Sequence, residues 1–83
     1  MMLEIGEQVY VVAAFGINPR LRPLRFRWSG REVKIKNITY EWTTSMGKSR
    51  LIHFSVTDGS TLYELSFDSA SITWRIENIE TDL

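Results

Sequence analysis

Apolar and polar residues alternate along most of this chain, most clearly on either side of the dipeptide Ser29-Gly30. A period of two is the spacing of a β-strand that buries one face, whereas an amphipathic helix needs a period near 3.6. No segment shows sustained helical spacing. The sequence therefore predicts an all-β fold whose strands bury one face and expose the other.

The Ser29-Gly30 dipeptide predicts a two-residue hairpin turn, which fixes the register of the strands beside it. Three cross-strand pairs then share one apolar face: Trp28 with Arg31, Phe26 with Val33, and Leu24 with Ile35. Beyond this hairpin the apolar parity changes, to Tyr40 and Trp42. A β-bulge near Lys36-Asn37 would keep both rings inside.

Two further dipeptides, Asp58-Gly59 and Ser69-Ala70, predict short turns between alternating segments. Taken as two-residue turns, they give these pairs: Val56 with Thr61, Phe54 with Tyr63, Ile52 with Leu65, and Phe67 with Ile72. All three turns place apolar residues on the same side of the sheet. With a first strand over about Gln8 to Ala14, the chain is predicted to form an antiparallel meander of about six strands.

The apolar set on the inward face is too large for a flat sheet with one bare face. Ten residues are Phe, Trp or Tyr, and each can bury about 150–250 Å². We therefore expect a small barrel or a strongly curled sheet, with a dimer whose sheets face each other as the main alternative. Residues 1–83 are predicted to form one domain with an acidic C-terminal tail over about 78–83.

The chain has no cysteine, so it forms no disulfide and has no thiolate ligand or nucleophile. It also shows no basic and apolar leader and no apolar run of the roughly 18 residues that a membrane span requires. These features predict a soluble cytoplasmic protein without membrane contact.

Few residues are candidates for catalysis or metal binding. His53 is the only histidine, and the register places it on the outward face beside Glu64, with no pocket for a general base and no spaced metal ligands. Gly47-Lys48-Ser49 resembles the end of a phosphate loop, but Trp42 stands where that motif needs a glycine. We predict no enzyme activity, no cofactor, no metal and no small-molecule site.

The charges are unevenly distributed although they sum to zero. Residues 20–50 hold nine of the ten Lys and Arg residues against two acids, which gives +7, and the rest of the chain carries −7. Arg25 lies opposite Lys34, a like-charge pair that destabilises a sheet. Six residues are candidate contacts for an anionic partner: Arg20, Arg22, Arg25, Arg27, Lys34 and Lys36. The alternative is an ordinary solvated face whose cations deter edge pairing.

The partner is constrained by the predicted parity. Phe26 and Trp28 point inward, so we do not expect bases to stack on the basic face. Phosphate contacts and an acidic protein surface, including that of a second copy, remain as alternatives. The leading hypothesis is a non-catalytic interaction module that binds a protein partner or itself. The runner-up is an auxiliary nucleic-acid-binding domain that contacts phosphates through the basic hairpin face.

The run Phe26-x-Trp28-x-Gly30-Arg31, followed by Trp42, Tyr63-Glu64-Leu65 and Trp74, resembles a family of small bacterial domains of unknown function. The family pattern is Pro-x-x-Phe-x-Trp-x-Gly-Arg, then a Trp, a Tyr-Glu-Leu run and a Trp-bearing strand. The resemblance covers roughly Arg22 to Ile79. It implies an accessory role in bacteria, as a separate chain or attached to larger proteins, some linked to DNA-repair polymerases, and it implies no catalytic residue.

Overall fold

The computed structural model describes residues 1–81 as seven β-strands joined by turns. The strands are β1 (Met2–Phe15), β2 (Leu21–Trp28), β3 (Arg31–Lys34), β4 (Asn37–Met46), β5 (Ser49–Thr57), β6 (Leu62–Asp68) and β7 (Thr73–Glu80). They form one antiparallel sheet in the order β3-β2-β1-β7-β6-β5-β4, which does not close into a barrel. The all-β class is confirmed. Within residues 1–81 there is no helix long and apolar enough to cross a bilayer.

A change of neighbour at Ile35 and Lys36 divides one predicted strand into β3 and β4. The Ile35 amide donates to the carbonyl of Leu24 in β2 at 3.0 Å, and the Lys36 amide donates to the carbonyl of Thr57 in β5 at 2.8 Å. The two ends of the strand order are thus joined by two residues, so the sheet must bend back on itself. This division also explains why there are seven strands where about six were predicted.

β1 connects the two parts of the bent sheet. Its residues up to Val9 pair with β7, and its residues from Tyr10 onward pair with β2. The β1–β7 register shifts near Gly6, which has φ +70° and whose carbonyl accepts a hydrogen bond from the Arg75 guanidinium. The strand begins earlier than predicted because its N-terminal residues, from Met2 onward, also pair with β7.

The core lies between the two parts of the bent sheet. Phe26 of β2 meets Tyr63 of β6 edge to face, with ring centroids 5.1 Å apart. Trp74 of β7 contacts both Phe54 and Phe67, at 5.7 and 5.0 Å. The buried apolar residues are Leu21, Phe26, Val33, Phe54, Val56, Tyr63, Leu65, Phe67, Trp74, Ile76 and Ile79. The curvature therefore supplies the second wall that the predicted apolar face requires.

The turn at Ser29 and Gly30 has the predicted register. Phe26 pairs with Val33 and Trp28 with Arg31, and both turn residues have positive φ, +54° and +76°. Two consecutive left-handed residues are typical of the tight turn that matches strand twist.

The other two hairpins are shifted by two residues from the predicted pairs. Thr57 pairs with Leu62, and Asp68 pairs with Thr73, so each loop has four residues instead of two. The side chains of the two aspartates explain the difference. Asp58 accepts hydrogen bonds from the backbone amides of Ser60 and Thr61. Asp68 accepts hydrogen bonds from the backbone amides of Ala70 and Ser71 in the same way. A shift of two keeps the parity, so the inward faces are as predicted.

The prediction that Tyr40 and Trp42 lie inside is wrong. The β4–β5 register shifts at Thr39, after Ile38, rather than near Lys36-Asn37. This shift turns the following residues over, so Tyr40 lies opposite Ser55 on the outer face and is 66% exposed.

Two smaller expectations are also wrong. Leu24 occupies a bulge between β1 and β2 and is 37% exposed, while Pro23 is buried in its place. The acidic tail was expected from residue 78, but β7 continues to Glu80 and buries Ile79. The last two residues of the predicted tail, 82 and 83, lie outside the described residues.

Phe26→Ala should lower the free energy of unfolding by about 3–5 kcal/mol, because it removes a 1% exposed ring from the core. Leu24→Ala should cost about 1 kcal/mol or less, since that side chain is already partly in water. Urea denaturation of the two variants and the wild type measures both values. Equal losses would contradict the assignment of Leu24 to the bulge.

Asp58 should make stability depend on pH. Burial alone would raise the pKa of this carboxyl, but hydrogen bonds from Ser60, Thr61 and Tyr63 outweigh it and hold the pKa below its ordinary value of 3.8. A lowered pKa stabilises the fold above the unfolded-state value, and this contribution is lost as the pH falls through the folded-state value. Asp58→Ala should cost about 1 kcal/mol at neutral pH, because it removes the carboxylate that accepts hydrogen bonds from the Ser60 and Thr61 amides.

The free energies of unfolding of the wild type and Asp58→Ala should become more similar as the pH falls below 3.8. Urea denaturation across an acidic pH series measures both. Glu4→Ala, which removes an exposed carboxylate away from the β4 edge, is the matched control. A difference that stays constant or widens on acidification would contradict the assigned role of Asp58.

Candidate anionic-partner surface and open sheet edge

The outer face of β1, β2 and β3 carries the cations that the sequence singled out. Tyr10 lies opposite Arg27, which lies opposite Glu32, and in the next row Val12 lies opposite Arg25. These side chains line an open groove of about 460 Å³. The arrangement follows from strand alternation, because Phe26 between the two arginines points into the core.

Only part of the positive charge on this face is neutralised. The Arg25 Nε lies 3.5 Å from the Glu32 Oε2, an ion pair on the diagonal rather than directly across the strands. Lys34 stands opposite Arg25. Among residues 1–81, neither Arg27 nor Lys34 has a carboxylate oxygen within 4.0 Å. Two unpaired cations therefore flank one ion pair.

The six predicted contact residues do not form a single cluster. Arg25, Arg27 and Lys34 lie together, whereas Arg22 pairs with Ala14 beyond the bulge. The remaining two lie elsewhere: Arg20 is in the loop after β1, and Lys36 lies against Gly59 at the next turn. Three of the six therefore lie on one surface, with Arg22 further along the same two strands.

Tyr10 belongs to this surface and the sequence reasoning missed it. Its side chain is 68% exposed beside Arg27, so one aromatic ring does face outward here, although Phe26 and Trp28 point inward as predicted. Its neighbours Val9 and Val11 pack against the core. Alternation alone would have put Tyr10 outside, but the first strand is apolar at both parities and gives no clear signal of which face is covered.

His53 lies on the outer face, as predicted, and both ring nitrogens have partners. Nε2 lies 2.8 Å from the Thr44 hydroxyl, and Nδ1 lies 3.3 Å from the Glu64 Oε2. The ring stacks on Trp42, with centroids 5.0 Å apart and planes 5° from parallel. Glu64 also accepts a hydrogen bond at 2.8 Å from Asn78, its partner residue in β7. These contacts fix the orientation of the His53 ring on the outer face.

A second exposed feature is the free edge of β4. This strand pairs with β5 alone, and no other strand of residues 1–81 lies beside it. Its outer face presents Tyr40, Trp42 and Met46, of which the first and last are 66% and 69% exposed. Backbone amides and carbonyls on this edge are available to another strand.

The described residues contain no group of three or more His, Cys, Asp or Glu side chains placed to hold a metal ion. No protein-family model matches the chain, and neither characterised proteins nor solved structures give a significant match. The resemblance to the bacterial domain family therefore rests on the motif residues alone.

Charge substitutions should reveal which cations on the outer face repel each other. Lys34→Glu should raise the free energy of unfolding by about 0.2–1 kcal/mol, because it places a carboxylate opposite Arg25. Arg27→Glu should lower it by a similar amount, because it opposes Glu32. Thermal denaturation at low salt measures both. A change of the same sign in the two variants would contradict the pairing.

Proposed function

We propose that this chain is a non-catalytic interaction module that accepts an extended strand, from a protein partner or a second copy, at the open edge of β4. The observation that carries the proposal is that Tyr40–Met46 forms seven residues of regular strand with a neighbour on one side only. Added strands bind such edges through backbone hydrogen bonds, and alternate side chains give specificity.

The two edges of the sheet differ in how well they are protected. β3 has four residues, of which Arg31, Glu32 and Lys34 are charged, and short charged edges deter pairing with other chains. The segment Tyr40–Met46 has a single charge, Glu41, and no proline. Its bulge, at Thr39, precedes the segment instead of interrupting it. The exposed edge of β4 therefore lacks the usual devices against strand addition.

The side chains beside this edge are suited to a partner strand. Tyr40 and Trp42 lie against each other, with ring centroids 5.5 Å apart, and Met46 continues the same face. A strand added next to β4 would place alternate side chains against these groups. Aromatic and Met side chains are enriched at protein interfaces.

Selection of displayed random peptides on the purified protein tests strand addition. Selected peptides should bind the wild type and lose at least tenfold in affinity for Thr43→Lys, because an edge lysine disfavours pairing. Lys34→Glu, on the opposite edge of the sheet, is the matched control and should bind normally. Peptides that bind Thr43→Lys as tightly as wild type would contradict the proposal.

A second candidate is nucleic-acid binding at the outer face of β1–β3. The observation that favours it is the exposed Tyr10 ring next to Arg27, with Lys34 also unpaired among the described residues. Cations can contact phosphates, and an aromatic ring can stack on an unpaired base. This candidate is consistent with the resemblance to the bacterial domain family, which implies a link of some members to DNA-repair polymerases. It is also consistent with a chain that has no cysteine and so suits the reducing cytoplasm.

Binding to random-sequence single-stranded and duplex DNA over a salt series tests this candidate. The affinity should fall steeply as salt rises, and Arg27→Glu should weaken it. Tyr10→Ala should weaken single-strand binding about 5- to 150-fold, the equivalent of one lost stacking contact of about 1–3 kcal/mol, with less effect on duplex. Lys48→Glu, in the β4–β5 turn, controls for net charge. An affinity unchanged by salt, or no binding, would reject the candidate.

A further inference from the structure

We propose that the strand accepted at the β4 edge is β4 of a second copy, paired antiparallel about a two-fold axis that passes midway between the two Thr43 residues, called here the axis at Thr43. This inference rests on the proposed function and names the occupant of that edge. The sheet would then continue from one copy into the other through Tyr40–Met46 of each. The contact is isologous and closes on itself, so it gives a dimer and not a filament.

Hydrogen-bond geometry limits the registers. On an edge strand only every second residue directs its amide and carbonyl outward. In an antiparallel ladder, two residues that lie opposite each other either both direct these groups towards the partner strand or both direct them away from it. When a strand pairs with its own copy, opposite residues must therefore have numbers of equal parity. One residue must then lie opposite its own copy, with the two-fold axis between them, and the candidates in the middle of the free edge are Glu41, Trp42, Thr43 and Thr44.

Three of these four registers have a defect. An axis at Glu41 places two carboxylates opposite each other. An axis at Trp42 pairs only Tyr40–Thr44 with the second copy. Met46 would find a partner only if pairing extended to Ile38, across the bulge at Thr39, and a bulge disrupts the ladder. An axis at Thr44 pairs only Trp42–Met46 within the strand. An axis at Thr43 uses the whole of Tyr40–Met46.

The register centred on Thr43 also matches the side chains of the outer face. It places Tyr40 opposite Met46 of the second copy and Trp42 opposite Thr44 of the second copy. Tyr40 and Met46 are 66% and 69% exposed in the single chain, and a Met sulfur beside an aromatic ring is a favourable contact. The two-fold axis forms the Tyr40–Met46 contact twice, so the exposed Tyr40 and Met46 of both copies are covered.

The charges on the core-side face match in the same register. Glu41 falls opposite Ser45 of the second copy, and Ser45 pairs with Arg50 within its own hairpin. A serine is small, so Glu41 can reach across it to Arg50 of the second copy. Both residues are exposed, and Arg50 has no carboxylate within 4.0 Å in the described part of the chain. The axis gives two such ion pairs, the charge complementarity that favours a second copy over an unrelated strand.

Single-cysteine cross-linking tests this register, since the chain has no cysteine of its own. With the axis at Thr43, Thr43→Cys brings its own position within about 4.5–5.5 Å Cα to Cα, inside the range that disulfides span. Oxidised glutathione should therefore convert Thr43→Cys to a covalent dimer. Glu41→Cys and Ser45→Cys should each cross-link poorly alone and well when mixed. Preferential cross-linking of Glu41→Cys with itself would overturn the register.

Sedimentation equilibrium tests the dimer without cysteine. The wild type should show a concentration-dependent dimer, Thr43→Lys should weaken it at least tenfold, and circular dichroism should show both folded. Glu41→Arg and Arg50→Glu should each weaken the dimer, and the double variant should restore it. A wild type that stays monomeric at millimolar concentration overturns this inference. If selected peptides still bind the β4 edge in that case, the proposed function stands, and if they do not, both are wrong.

Discussion

The fold depends on how one extended segment, Arg31 to Met46, is shared between two neighbours. Its first residues pair with β2, and at Ile35 and Lys36 the hydrogen bonds pass from β2 to β5. This joins the ends of the strand order and bends the sheet, so that Phe26 meets Tyr63 across the core. The same transfer leaves the end of the segment with a single neighbour. The bend that creates the core thus also creates the open edge.

The two exposed surfaces are separate and have different chemistry. On the outer face of β1–β3, Glu32 pairs with Arg25 while Arg27 and Lys34 have no carboxylate within 4.0 Å in the described chain. The β4 edge is nearly uncharged, with aromatic rings beside it. The charges of β3 disfavour strand addition at one end of the sheet, whereas Tyr40–Met46 at the other end carries only Glu41.

The sequence predicted the features that depend on local geometry. Ser29 and Gly30 fixed their hairpin because both can adopt positive φ, and alternation assigned most inward faces correctly. The other registers were wrong by two residues because Asp58 and Asp68 close longer loops with side-chain hydrogen bonds. The face of Tyr40 depends on the bulge at Thr39, and the covered face of β1, which leaves Tyr10 outside, depends on which strands pair over long distances. Those are tertiary properties that a local pattern does not encode.

Backbone amide exchange across Tyr40–Met46, followed as a function of protein concentration, tests the central claim most directly. Alternate amides of an edge strand point away from their only neighbour. In dilute protein, every second amide of this segment should exchange rapidly while those bonded to β5 stay protected. At high concentration the rapid set should become protected in the wild type and remain rapid in Thr43→Lys. Uniform protection of the segment at every concentration, in both proteins, would contradict an open edge that accepts a second copy.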